Sequence, residues 1–319
     1  MFKKLMVLLG MIGVLLSCNE QKPKEYIPKY DKFTNDLERA NLIGKVKRVV
    51  YSKKLDLDGS YSDKSNRITL KEEEYSDFGK LLVGKYYGNT ARIQATVVNK
   101  YDNNHLLVSI SNSEKETPNS YTQNNKYDKN GNIVECSGVM NNEYSRFIME
   151  YDSFNNPIKA TTYTQNDTMI KTINYEYSSN NQILKKVIYN GDCNTEIESI
   201  EEFKYDDKGR KIETNYRSLN PYHPTNVKFI TKYNPNNRIE YIRKFENDTI
   251  AQETYFDKNY NPTKQIRYVD GIASVTNEYL YQFDETGNWT EKSTYQSRTS
   301  GDGKKVAVSV EFREIEYYK

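Results

Sequence analysis

The chain has 319 residues with 46 Lys+Arg against 44 Asp+Glu and a net charge of +2, a balance too small and too evenly mixed to make an electrostatic footprint for nucleic acid. At 36% hydrophobic and 13% aromatic, with 29 tyrosines, burial has to come from amphipathic aromatic side chains and not from a thick aliphatic core. Two histidines, His105 and His223, are too few for a His-based metal centre or a Ser/His/Asp set. We therefore expect no catalytic residue, metal or cofactor, and a protein that binds without catalysing.

Residues 1–17 carry Lys3 and Lys4 and then an apolar run from Leu5 to Leu16, too short for a comfortable transmembrane helix and organised as a secretory signal. The run ends Leu15-Leu16-Ser17-Cys18, which resembles the bacterial lipoprotein signal. That resemblance implies acylation of Cys18 as the new N-terminus. It also implies outer-membrane anchoring, because Asn19 is not the aspartate associated with inner-membrane retention. From Asn19 to about Lys32 the chain is polar, with Pro23 and Pro28 and no periodicity, as in a tether. A short helix is predicted over Thr34–Asn41, stopped by Gly44, so residues 18–43 form lipidated cysteine, tether and helix ahead of a repeat domain over 44–319.

The first strand opens at Val46, with Asp58-Gly59 supplying its turn. Thereafter an aromatic recurs every 23 to 28 residues at Tyr75, Tyr101, Tyr127, Tyr151, Tyr177, Tyr205, Tyr233, Phe256 and Phe283, the spacing of a hairpin repeat. One position later stand Ser76, Asp102, Asp128, Asp152, Ser178, Asp206, Asn234, Asp257 and Asp284, short acceptors suited to the first position of a type I turn. Four positions after the aromatic come Gly79, His105, Gly131, Asn155, Asn181, Gly209, Asn237, Tyr260 and Gly287. All but Tyr260 tolerate left-handed backbone, so the column reads as the closing residue of the turn. Period-two alternation flanks each turn, as in Phe147, Met149 and Tyr151 against Ile148 and Glu150. The expected fold is all-β: a long antiparallel meander of about nine repeated hairpins forming one curled or partly wound sheet, of about twenty strands. A transmembrane barrel is disfavoured because Lys71 to Glu74 and Lys185-Lys186 place charge on both faces of their strands.

The Tyr-Asp-x-x-Gly-Asn units at Tyr127 and Phe283, and the looser ones at Tyr75, Tyr151 and Tyr205, resemble YD repeats of the rearrangement-hotspot type over roughly residues 45 to 319. That family implies long β-sheets wound into shells, with carbohydrate binding described for some repeats. Encapsulation is not carried over to this shorter chain.

The expected partners are the membrane, through the N-terminal lipid, and a protein or glycan ligand taken by a monomer. A toxin-neutralising lipoprotein is a further alternative, requiring a charged concave face. Specificity is placed where the repeat breaks, in the loop Arg217–Thr225 with Pro221 and Pro224, which makes Tyr222, His223 and the atypical turn residue Tyr260 the candidate contacts. Cys136 and Cys193 lie two repeats apart, beyond disulfide reach in a simple meander. The triplets beginning at Asp167 and Asp248 resemble an Asp-Thr-apolar O-glycosylation motif.

Overall fold

The computed structural model describes residues 36–54, 67–88, 92–114, 121–140, 143–192, 195–222, 224–299 and 303–319. Cys18, Asp58-Gly59, Cys193 and His223 lie outside the described residues. Helix α1 is short, Asp36–Arg39, and Gly44 beyond it adopts φ +84°. Strands β1 to β5 are Val46–Lys54, Ile68–Tyr75, Leu81–Tyr87, Ile93–Tyr101 and Leu107–Glu114. Strands β6 to β10 are Tyr121–Tyr127, Ile133–Met140, Glu143–Tyr151, Pro157–Thr164 and Met169–Tyr177. Strands β11 to β15 are Ile183–Asn190, Ile197–Tyr205, Lys211–Ser218, Thr225–Tyr233 and Ile239–Glu246. Strands β16 to β20 are Thr249–Phe256, Pro262–Val269, Ile272–Phe283, Trp289–Arg298 and Val306–Tyr317.

Each strand pairs antiparallel with its neighbours in the chain, and β1 pairs with both β2 and β20. The protein is thus a closed 20-stranded antiparallel barrel, which corrects the expectation of an open, curled or partly wound sheet. The finding that overturns it is the β1–β20 ladder, running from Val46 opposite Tyr317 to Lys54 opposite Val310. An open sheet of this size would leave two strand edges unpaired, whereas closure satisfies them.

The turns form as their residues demand. All nine residues of the left-handed column have positive φ, from Asn155 at +57° to Gly287 at +95°, Tyr260 among them at +61°. In the β6–β7 turn the Gly131 N–H donates to the Asp128 carbonyl, while Asp128 Oδ1 accepts from the backbone of Asn130 and Asn132. Each turn is followed by a one-residue register shift, as between Lys126 and Tyr127, the bulge that such turns generate.

A second periodic device ties repeat to repeat. The hydroxyl of the column tyrosine donates to the carbonyl of the first or nearly first residue of the preceding returning strand. The pairs are Tyr101 to Leu81, Tyr127 to Leu107, Tyr151 to Ile133, Tyr177 to Pro157, Tyr205 to Ile183 and Tyr233 to Lys211, at 2.7 to 3.1 Å. Where the column holds Phe283, Tyr281 donates instead, to Pro262. Asn99 and Asn125 add a second donor to the Leu81 and Leu107 carbonyls.

Tyr177→Phe is expected to cost about 1 kcal/mol by leaving the Pro157 carbonyl without that donor, read as a lowered midpoint in denaturant. At the turns, Gly131→Val should cost about 1 kcal/mol or more and Gly131→Asn clearly less, while Tyr260→Asn should raise stability by relieving left-handed strain. Equal midpoints for the two variants at Gly131 would refute the turn assignment.

Candidate functional site

The register carries one face of the sheet continuously round the ring. On it lie Phe147, Met149 and Tyr151, then Ala160, Ile173 and Ile188, then Ser199, Glu201 and Phe203, and so on to Tyr51 and Glu73. This face carries the tyrosine column and is the inner one, because the segment from Asp36 to Gly44 lies against it across one end of the ring. Leu37 and Leu42 bury against Val46, Val49, Tyr51 and Tyr75, with Ile315 and Tyr317 packed alongside. The Asp36 carboxylate accepts from the Leu81 N–H at 2.7 Å and the Tyr101 hydroxyl at 3.1 Å. On the other side of the seam the Asn41 amide donates to Asn261, and Ile43 exchanges hydrogen bonds with the Asn288 side chain. Arg313 reaches the Ala40 and Asn41 carbonyls while its guanidinium lies 3.8 Å from the centre of the Trp289 ring. Burial lowers its pKa below the ordinary arginine value.

Inside the ring the wall is aromatic and polar. Burial raises the hydroxyl pKa of Tyr51, Tyr75, Tyr101, Tyr175, Tyr177 and Tyr281, and that of Tyr127 to about 12. Cys136 also faces inward as a free thiol, and burial pushes it up to about 12. Inward charges come in opposite pairs: Lys71 with Glu73 at 2.7 Å, Lys186 with Glu201 at 2.8 Å, and Lys292 with Glu311 at 3.2 Å. Across β15 to β19 the inner face offers Lys244, Gln252, Thr254, Gln265, Arg267 and Asn277, the last accepting from Gln296. The lumen is not filled, since the inward Tyr86 and Phe229 keep 38% and 36% of their surface exposed.

The outer face is charged in register. Lys126 faces Glu135, Glu150 faces Lys159, Glu176 faces Lys185 and Lys204 faces Glu213; on the same side Arg48 binds Glu72 and Arg243 binds Glu253. Such cross-strand pairs contribute about 0.2 to 1 kcal/mol each, and they interrupt the continuous apolar band a lipid-facing barrel wall needs.

The candidate contacts do not assemble into one site. Tyr222 is 85% exposed in the β13–β14 loop, whereas Tyr260 occupies the β16–β17 turn at the opposite end. The lumen residues Gln252, Arg267 and Phe229 were missed by the sequence reading, because strands with charge on both faces do not announce which side is inner. The parity of the column tyrosine was the available signal. Among the described residues no group of three or more His, Cys, Asp and Glu is placed to hold a metal ion, and no helix is long and apolar enough to cross a membrane.

No family model matches the chain, and no curated protein matches it. Among solved structures it is similar to a porin-like protein from Bacteroides uniformis, at 9% identity and TM-score 0.35, covering 85% of this chain and 96% of that one. A porin-like protein from Bacteroides vulgatus matches at 11% identity and TM-score 0.32, over 86% and 98% of the two chains. The TcdB2-TccC3-TEV structure matches at 12% identity and TM-score 0.36, over 81% of this chain and 15% of that one. The barrel assignment rests on the strand register of this chain itself.

Acid should weaken the barrel through its outer carboxylates. The hydrogen bond from Arg48, opposed by burial and reinforced by Tyr87, holds Glu72 below its ordinary value of 4.5. A carboxylate depressed in the folded state contributes stability above its unfolded pKa and loses it as pH falls through the folded value. Melting temperature should therefore fall more steeply from about pH 5 to pH 3 in the parent than in Glu72→Gln. Parallel acid limbs would contradict this.

Proposed function

We propose that this protein is a lipid-anchored barrel of the bacterial cell envelope that binds a soluble ligand within its lumen and does not transform it. The anchor is Cys18, supported by the basic start, the apolar run and the Leu-Leu-Ser-Cys order, and the outer membrane is the favoured address. The observation that carries the binding reading is the inner wall of β14 to β19. There an exposed phenyl, Phe229, shares the open lumen with Arg267, with Lys244 paired to Glu246, and with a set of amides and hydroxyls. Concave sites with a few convergent polar groups are where ligands bind. The mouth is at the end of the longer loops, Tyr222 among them, because the segment from Asp36 to Gly44 lies across the other end.

Carbohydrate is the second reading, favoured by the side chains of Gln252, Thr254, Gln265, Asn277, Thr294 and Gln296 beside Tyr279 on this wall, since hydroxyl-rich ligands need donors and acceptors flanking an aromatic face. Toxin neutralisation through a charged concavity is less well supported, because several of the inward lysines are neutralised by glutamates.

Two measurements test the proposal. Cys18→Ala should leave the protein unprocessed or released, and its appearance as a processed membrane-bound form would remove the anchor. The full-length protein in detergent, applied to a glycan array and used in a pull-down from envelope extract, should capture a species whose binding falls at least about tenfold, roughly 1.4 kcal/mol, in the Arg267→Glu/Gln252→Ala variant with its melt unchanged. Loss instead in Tyr222→Ala/His223→Ala alone would move the site to the loop rim.

A further inference from the structure

The tight turns make one rim of the barrel, and three of them carry aromatic residues at their tips. Phe78 in the β2–β3 turn is 59% exposed and Phe154 in the β8–β9 turn is 62% exposed, at positions where the other repeats place Asn, Lys or Thr. Tyr260 in the β16–β17 turn is also exposed, and keeps an aromatic side chain on a backbone at φ +61°. Round a ring of twenty strands these turns stand six, eight and six strand positions apart, close to a three-point arrangement. Exposed aromatics alone do not name an occupant, because the loop rim also exposes Tyr222, Val269 and Ile272. The path of the chain does. The segment leading from the N-terminus reaches the barrel at the turn rim, where Ile43 bonds Asn288 and packs by Gly287, and Ile43 is itself exposed at that rim. Seventeen residues separate Cys18 from Asp36, a reach of at most about 65 Å. The turn rim is therefore the end at which a tether from Cys18 enters, and the loop rim lies a barrel height further along.

We propose that the turn rim is a membrane-facing foot, in which Phe78, Phe154 and Tyr260 insert at three points into the interface of a phospholipid bilayer and hold the barrel upright with its loop mouth directed away. Aromatic side chains suit that interface because an apolar ring meets lipid while its edge or hydroxyl meets water. The first-position carboxylates, as at Asp128, Asp152 and Asp206, are turned back onto their own backbone, while Asp77 stays exposed beside Phe78, whose ring packs on His105.

The proposal rests on the Cys18 anchor, and its test separates the two. Lipidated full-length protein is incorporated into vesicles of phosphatidylcholine and phosphatidylglycerol, with and without brominated acyl chains, carrying Phe78→Trp, Phe154→Trp or, as control, Tyr222→Trp. The native Trp289 is buried and gives a constant background. Brominated lipid should quench most of the added emission at positions 78 and 154 and leave that at 222 unchanged. Failure of the protein to float with vesicles would refute the anchor. Flotation without quenching at 78 and 154, or with equal quenching at 222, would overturn the foot while leaving the anchor in place.

Discussion

The pairing of β1 with β20 is the constraint on which the whole architecture depends. Twenty strands generate twenty ladders only if the first finds the last, and without that contact two long edges stand open to other chains. The seam is built with more than its own ladder. Tyr318 donates its N–H to the Lys45 carbonyl and its hydroxyl to the Tyr75 carbonyl, so a C-terminal tyrosine repeats at the seam the cross-strand donation that the column tyrosines make elsewhere. The segment from Asp36 to Gly44 then fastens both sides, tying β3 and β4 to the β16–β17 and β18–β19 turns. Arg313, seated against Trp289, holds the middle of that segment by two carbonyls.

The turn rim shows a related economy. In several repeats the residue after the left-handed position reaches sideways to the next turn: Asn132 donates to Asn155, Asn156 to Asn181, and Arg210 to Asn237. No tight turn follows that of β18–β19 at the seam, and Ile43 stands in, bonding Asn288, while Asn41 bonds Asn261 one turn earlier. Asn132, Asn156, Asn261 and Asn288 are accordingly buried to within 3%, a fate unusual for asparagine and eased because each side-chain N–H group donates a hydrogen bond, although Asn132 Oδ1 has no partner. The N-terminal segment is thus read by the barrel as one more turn.

What the sequence disclosed, and what it withheld, divides along the range of the interactions. The left-handed column, the turn acceptors and the strand alternation are local, decided within six residues, and Tyr260 follows its column into positive φ although its side chain argues against it. Closure joins Val46 to Tyr317, and neither residue carries a mark of the other; a strand that will meet a distant partner has the same composition as one that will remain an edge. The lumen was hidden for a different reason. With Glu73 inward and Glu72 outward on one strand, polarity does not separate the faces, and the inner side becomes visible only through the hydroxyls of the column tyrosines. The proposed anchor at Cys18 rests on a local motif outside the described residues, whereas Tyr222 and Tyr260 were grouped by sequence irregularity alone and lie at opposite ends.

A barrel polar on both faces has to be held together differently from one with an oily wall or an oily centre. The described apolar clusters are small: one under α1 at the seam, and one of Met149, Ala160 and Ile173. Between them the wall is secured by backbone ladders, tyrosine-to-carbonyl bonds, turn-to-turn amides and cross-strand ion pairs, each worth about 1 kcal/mol or less net. Such a structure gains from repetition, since each repeat contributes a similar small set of bonds to its neighbours, and it gains most from closure, which gives the terminal repeats the partners that interior ones already have. The same distribution of energy frees the lumen from having to be a core. Because stability is carried within the wall, the inner face can remain open, as it is at Phe229, Tyr86 and Arg267.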